Sequence, residues 1–243
     1  MEKQLLTSVI EKYYLGGIHE KVKWTVKDKK VTILFTSQTK DLAGSIEAPN
    51  FDIDDCTLGI YDTNKLLKLV NITNQFIQLN VETKNGTSTK LSIADNEYDL
   101  VYHLADLRMM PMETMVLDET QISFDYSFGI DNDFIERYNK AKKALGSEFC
   151  TINLITKDTG NVISLTLGEP EGHSNKIDFE EVPLESKNTI HIPLQFNAEY
   201  LKSIFDANYG AEGTMWVSNE GAMKLDFESE DGQKSSYIIL AKV

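Results

Sequence analysis

Residues 58–73, LGIYDTNKLLKLVNIT, and residues 190–208, IHIPLQFNAEYLKSIFDAN, follow one pattern. Each stretch begins with apolar residues typical of a β-strand, continues with a polar residue able to cap a helix, and ends in a short amphipathic helix. Each is followed by three strand-like segments joined by glycine-containing turns. Internal repetition on this scale predicts two similar halves within the chain of 243 residues.

A second amphipathic segment occurs near the start of each half. Residues 2–14 and 131–145 place apolar side chains at helical spacing, and each segment is followed by glycine. Asp131 or Asn132 is expected to cap the helix at 131–145, whereas Thr63 or Asn64 is expected to cap the helix at 65–72. With about sixteen strands, the pattern predicts an α+β fold of two similar domains, each with two short helices packed on antiparallel sheets.

The segment between the two halves has no clear period. It contains Pro111 and four of the seven methionines of the chain. We therefore expect an N-terminal domain at 1–105, an interdomain connector at 106–120 and a C-terminal domain at 121–243. Strands are expected at 121–128 and 189–194.

The charge balance is acidic, with 38 acidic and 24 basic residues and a formal net charge of −14. This balance argues against a protein that holds DNA by bulk attraction alone. The N-terminus does not have the pattern of a signal peptide, and no apolar run is long enough for a membrane helix. Cys56 and Cys150 form no paired motif, which fits a reducing cytosol. We expect a cytoplasmic protein, in the host cytoplasm if it is viral, without a membrane partner.

The sequence shows no catalytic signature. It contains no P-loop, no GxSxG and no GxGxxG motif, and its four histidines are scattered. Asp52, Asp54 and Asp55 resemble the start of a calcium loop, but Thr57 stands where that loop needs glycine and Thr63 where it needs glutamate. We therefore expect no enzyme activity, no cofactor and no metal. A glycosidase-like enzyme with dispersed carboxylates and a phage structural β-protein remain alternatives.

Residues 51–73, FDIDDCTLGIYDTNKLLKLVNIT, and the closing run from 199 to 243, which contains EYLKSIFDAN and GTMWVSNEGAMKLDFESEDGQKSSYIILAKV, resemble the DNA sliding clamps. The similarity is greatest to clamps of T-even-type bacteriophages and more distant to proliferating cell nuclear antigen. Clamps of this family are rings of six such domains, so two domains per chain imply a homotrimer. The resemblance further implies a processivity factor that encircles duplex DNA without sequence preference, is loaded by a clamp-loader ATPase and tethers DNA polymerase.

In that family the helices line the hole of the ring, and basic side chains fall on the polar faces of all four predicted helices. Only Glu136 is acidic on the exposed side of the third helix. A basic lining would let phosphates slide past without a fixed register. A solvated helix face is the alternative for any one helix. The residues expected to face DNA are Lys3, Lys12, Lys65, Lys68, Arg137, Lys140, Lys142, Lys143 and Lys202.

The methionine cluster of the connector is either core packing under a loop or a plastic apolar surface. The resemblance implies a pocket beside the connector that receives short hydrophobic tails of the polymerase and the clamp loader. The residues expected in this partner-peptide pocket are Leu107, Met109, Met110, Met112 and Met115.

Overall fold

A computed structural model describes residues 1–110, 122–158, 160–168, 175–186 and 193–242. The chain divides into two compact units. Unit 1 consists of Met1–Ser37, residues 44–110 and Asp231–Ser235. Unit 2 consists of Gln38–Ala43, the described residues from 122 to 230, and residues 236–242. Both units are therefore discontinuous in sequence.

Each unit contains two α-helices among its described residues. They are α1 (Lys3–Tyr14) and α2 (Thr63–Asn71) in unit 1, and α3 (Asn132–Leu145) and α4 (Ala198–Ala207) in unit 2. All four were expected, with bounds that differ by one or two residues at their ends. Asp131 caps α3, and Gly146 ends that helix in a left-handed conformation with φ of 64°.

The described residues also form sixteen strands. In chain order these are β1 (Val22–Lys27), β2 (Lys30–Thr36), β3 (Leu42–Ala48), β4 (Cys56–Ile60), β5 (Gln78–Lys84), β6 (Thr87–Ala94), β7 (Asp99–His103), β8 (Tyr126–Ile130), β9 (Phe149–Lys157), β10 (Gly160–Gly168), β11 (Lys176–Glu181), β12 (Glu185–Ser186), β13 (Leu194–Asn197), β14 (Glu212–Val217), β15 (Ala222–Glu228) and β16 (Lys234–Leu240).

In unit 1 the strand order is β3-β2-β1-β4 in one sheet and β5-β6-β7 in the other. The hairpin between β5 and β6 turns at Asn85-Gly86, where both residues have positive φ, 53° and 77°. This is the turn that the Asn-Gly pair predicts. The core contains Trp24, whose ring makes edge contacts with Tyr13 of α1 and with Phe51.

In unit 2 the strand order is β12-β8-β14-β15-β16 in one sheet and β11-β10-β9-β13 in the other. The pairings of β9 with β10, β10 with β11 and β9 with β13 are all antiparallel. Aromatic rings hold the helices of this unit together, because Phe205 of α4 packs edge-on against Phe134 and Tyr138 of α3. The expected antiparallel α+β architecture, with two helices in each unit, is confirmed.

Two local expectations differ from the structure, and a third concerns a segment that lies mostly outside the described residues. Asp62 caps α2 in place of Thr63 or Asn64, because the Thr63 hydroxyl donates to the backbone oxygen of Glu20. The strand expected at 121–128 is β8, which runs from Tyr126 to Ile130. The strand expected at 189–194 falls mostly outside the described residues, and β13 begins at its last position.

Candidate nucleic-acid interface

Helix α2 carries two lysines on its exposed face. The Asp62 carboxylate accepts the Lys65 N–H at 2.8 Å at the start of the helix, while Leu66 and Val70 bury the opposite face. Lys65 and Lys68 are exposed, and neither side chain has an ion pair or hydrogen bond to any described residue. The helix itself contains no acidic residue and carries a charge of +2, while the carboxylates of Asp62 and Glu20 accept backbone N–H groups of its first turn.

The lysines of α1 are used within unit 1. The Lys3 ammonium donates to the backbone oxygen of Thr73 at 2.5 Å, just beyond the C-terminal end of α2. Lys12 is only 2% exposed, and its ammonium donates to Gln233 Oε1 at 3.0 Å. Burial lowers the pKa of Lys12 below its ordinary value. Lys12 was expected to face DNA, but a buried ammonium cannot reach a phosphate, so we remove it from the candidate set.

Helix α3 carries four basic side chains, compared with one on α4. The Arg137 guanidinium donates to Glu181 of β11 at 2.5 Å, and the Lys140 ammonium donates to Glu136 one turn earlier at 2.9 Å. Lys143 is exposed and has no such partner among the described residues. Two of these three predicted DNA-facing cations are therefore already paired with carboxylates.

The remaining basic candidates of unit 2 are paired as well. The Lys142 side chain is 11% exposed and its ammonium lies 3.0 Å from Glu199 of α4. The Lys202 ammonium lies 2.6 Å from Asp206, one turn later on α4. The hydrogen bond from Lys202 to Asp206 raises the pKa of the lysine, so it remains charged at neutral pH.

The four helices therefore differ in net charge. Helix α2 is at +2 and α3, with four basic and two acidic side chains, is also at +2. Helix α1 is at +1, whereas α4, with Lys202 against Glu199 and Asp206, is at −1. A basic face on every helix was expected, and α4 does not provide one.

Sequence reasoning missed the carboxylate partners of the candidate cations. The four-residue spacing of Glu136 to Lys140 and of Lys202 to Asp206 would have revealed two of them. Glu181 could not have been found in this way, because it lies on a strand and 44 residues beyond Arg137.

At the start of the connector, one predicted pocket residue is buried in the core and another is exposed on the surface. Met110 is 6% exposed and packs beside Gly59, where an added Cβ would lie 3.3 Å from the methionine side chain. Met109 is 81% exposed and Leu107 is half-buried. Met110 thus fits the core interpretation, and Met109 fits the surface interpretation. Met112 and Met115 lie outside the described residues.

Within the described ranges, no group of three or more His, Cys, Asp or Glu side chains has the arrangement of a metal site. In the same part of the chain, no helix is long and apolar enough to cross a membrane.

No family model and no curated protein matches the sequence. Solved structures do match the fold along its whole length. The structure of A. fulgidus PCNA bound by the C-terminal region of FEN-1 superposes with a TM-score of 0.79 at 13% identity, over 100% of this chain and 97% of the other. The chain has the fold of PCNA. The PCNA of Entamoeba histolytica gives a TM-score of 0.75 at 16% identity, covering 100% and 96%. The PCNA2–PCNA3 complex of Sulfolobus tokodaii gives 0.74 at 12%, covering 100% and 97%.

Proposed function

We propose that this chain is a non-enzymatic sliding clamp that assembles as a homotrimeric ring around duplex DNA and tethers the replicative polymerase. The observation that carries the proposal is the full-length likeness to PCNA structures, with a TM-score of up to 0.79. The closer relation to the clamps of T-even-type bacteriophages, and loading by a clamp-loader ATPase, rest on the sequence resemblance and form part of the same proposal.

Basic side chains on the four helices support the DNA side of this proposal. We assign phosphate contacts to Lys3, Lys65, Lys68, Arg137, Lys140, Lys142, Lys143 and Lys202. Such contacts position a protein on DNA and carry no sequence information. A ring that encircles DNA stays on it without strong electrostatic attraction, so the net charge of −14 is compatible with this proposal.

The decisive experiment tests encirclement. The chain is bound to a linear duplex with open ends, the ends are then either blocked with bulky protein or left open, and the salt concentration is raised. A topological ring is retained on the blocked duplex and slides off the open one, because salt screens phosphate contacts but cannot break the ring. Equal loss from both duplexes would contradict the proposal, as would a particle that stays monomeric at high concentration, where we expect a mass near three times 27.5 kDa.

Two sheet edges support assembly between chains. Strands β7 and β11 each lie at the edge of a sheet in their own unit, and such edges offer unpaired backbone groups for pairing with another chain. Val101 of β7 is 46% exposed and Val182, directly after β11, is 78% exposed. We assign the contact between protomers to these two edges. Val101→Asp is expected to dissociate the ring, which light scattering would detect.

Partner binding is proposed at the start of the connector. In the A. fulgidus structure a PCNA is bound by the C-terminal region of FEN-1, and we propose that short hydrophobic tails of the polymerase and the loader bind this chain near Leu107 and Met109. Met109→Glu is expected to weaken such a tail at least tenfold by calorimetry, because a charge would replace an apolar contact. Phe76→Glu, a change at another exposed apolar residue (64%), is the matched control and is expected to have no effect.

A further inference from the structure

Two carboxylates on the helices of unit 2 are held from two sides each. Glu136 accepts from the Lys140 ammonium at 2.9 Å and from the Tyr209 hydroxyl at 3.1 Å, using different oxygens. Asp206 accepts from the Lys202 ammonium at 2.6 Å and from the Asn139 amide at 2.8 Å, again with different oxygens. Each carboxylate therefore has one charged and one neutral donor.

The neutral donors fix where the carboxylates lie. Tyr209 follows α4 but reaches Glu136 on α3, and Asn139 on α3 reaches Asp206 on α4. Each carboxylate is thus held by a neutral donor from outside its own helix as well as by the lysine of its ion pair. The hydrogen bonds from Lys140 and Tyr209 also lower the pKa of Glu136, which keeps it ionised at neutral pH.

These ion pairs are poor candidates for a purely stabilising role. In the Lys140–Glu136 pair the side chains are 75% and 48% exposed, and in the Lys202–Asp206 pair they are 36% and 48% exposed. Exposed pairs of this kind contribute little to folding, because water and salt screen them. Their consequence for the charge of the surface is larger, since each pair removes one positive charge from a face that would otherwise attract phosphates.

We propose that Glu136 and Asp206 are built-in counter-ions that weaken the attraction of the α3–α4 face for DNA, so that this face glides past phosphates without binding them tightly. The proposal rests on the proposed function and specifies how its DNA-facing surface is regulated. A lysine already neutralised by a protein carboxylate releases few counter-ions when it meets a phosphate, so it adds little to affinity or to its salt dependence. Most of the attraction then comes from the exposed lysines without carboxylate partners, Lys65, Lys68 and Lys143.

The test removes the two carboxylates and keeps their shape. In the Glu136→Gln/Asp206→Asn variant both side chains can still accept the hydrogen bonds from Tyr209 and Asn139, so the fold is retained. Its affinity for a short linear duplex, whose open ends admit a closed ring without a loader, is measured by fluorescence anisotropy between about 50 and 200 mM salt. We expect binding about tenfold tighter than for the wild-type chain, and a salt slope steeper by about 0.9 for each new phosphate contact.

The matched control is Glu47→Gln/Glu82→Gln. These two carboxylates also pair with lysines, Lys30 at 2.5 Å and Lys90 at 2.8 Å, but they lie on strands of unit 1. The control adds the same net charge without touching a helix, and we expect its affinity and salt slope to stay close to the wild-type values. An equal rise in the control would show that bulk charge alone is responsible and would overturn the proposal.

Two further outcomes separate this proposal from the one on which it rests. If Lys65→Gln/Lys68→Gln loses DNA binding while Glu136→Gln/Asp206→Asn binds as the wild-type chain does, the counter-ion proposal fails and the sliding clamp stands. If neither the wild-type chain nor Glu136→Gln/Asp206→Asn shows salt-sensitive binding, and the wild-type chain is lost equally from blocked and open duplexes, both proposals fail.

Discussion

Both units have two helices, but the basic side chains on those helices have different partners in the two units. On α1 of unit 1, the Lys3 ammonium donates to a backbone oxygen and the Lys12 ammonium donates to Gln233, while the Asp231 carboxylate also acts on Lys12. On α2, Lys65 and Lys68 have no carboxylate partner among the described residues. In unit 2 the candidate cations use carboxylates, and Lys143 is the one exposed candidate on α3 without such a partner in the described part of the chain.

This difference teaches that the number of basic residues on a helix does not measure its attraction for DNA. Helix α3 has twice as many basic residues as α2, yet the two helices have the same net charge. Whether a lysine is paired with a carboxylate or with a neutral acceptor determines how strongly it can still attract a phosphate. Comparing the two units by mutation therefore tests the assignment of the DNA-facing surface more sharply than reversing every lysine at once.

The largest expected effect is on DNA binding through unit 1. Lys65→Gln/Lys68→Gln removes two charges per chain that have no ion pair among the described residues, and we expect affinity to fall about 100-fold at moderate salt. The contrasting variant removes whole ion pairs from unit 2, combining Glu136→Gln and Lys140→Gln with Lys202→Gln and Asp206→Asn. It deletes two candidate DNA contacts without changing net charge, and we expect near wild-type affinity by anisotropy. A comparable loss in both variants would abolish the distinction between the units.

The units are also expected to differ in acid sensitivity. His19 of unit 1 is buried, and burial lowers its pKa to about 4 from 6.5. Between these values the unfolded chain binds the proton more readily, so stability present above pH 6.5 is lost as the pH falls toward 4. The described part of unit 2 contains no histidine.

We expect His19 to account for a loss of about 2 kcal/mol in the free energy of unfolding by pH 5. Denaturant titrations of the wild-type chain and of His19→Gln at neutral pH and at about pH 5 would measure it. An equal acid loss in the variant would assign the sensitivity to other groups.

A smaller effect is expected from copying the arrangement of unit 2 into unit 1. Asn64 is exposed and lies four residues before Lys68, which is the spacing of Glu136 to Lys140. Asn64→Glu should pair with Lys68 and weaken DNA binding about tenfold. Asn64→Gln is the control with unchanged charge, and anisotropy is again the measurement. If Asn64→Glu binds as tightly as the control, pairing does not reduce the attraction of a lysine for DNA.

The smallest expected effect concerns the helix caps, where the units should not differ. Asp62 accepts the Lys65 N–H, and Asp131 accepts the Phe134 N–H, both at 2.8 Å. Replacing either aspartate with alanine should lower the free energy of unfolding by about 1 kcal/mol. A much larger loss at Asp62 in denaturant titrations would mean that its role extends beyond the cap.

Local signals in the sequence predicted most of the fold. The cap of α3 at Asp131, its end at Gly146 and the Asn85-Gly86 hairpin depend on neighbouring residues alone, so they could be read from the chain. The cap of α2 could not be assigned in the same way. Thr63 has good cap chemistry, but a contact with Glu20, which is 43 residues away, takes its hydroxyl.

The candidate site was less predictable for the same reason. We expected Lys12 on the polar face of α1, facing DNA, but it is buried and its acceptor, Gln233, is 221 residues away. The ion pair of Glu136 with Lys140 was visible in the spacing, whereas the acceptor of Arg137 lies on a strand. Which cations remain available to DNA is therefore a tertiary property.

The discontinuity of unit 1 has a consequence for the order of events during synthesis. Gln233, in the last segment of unit 1, accepts both from the Lys12 ammonium and from the Ser8 hydroxyl, at 3.0 and 3.1 Å. A ribosome adding 5–20 residues per second takes roughly ten seconds to make the stretch that separates residue 110 from this segment. During that time α1 has left the ribosome while the acceptor for its buried ammonium does not yet exist. Unit 1 is thus begun before the main segment of unit 2 and completed only after that segment has been translated, so a nascent chain stalled before Asp231 holds an unfinished unit 1.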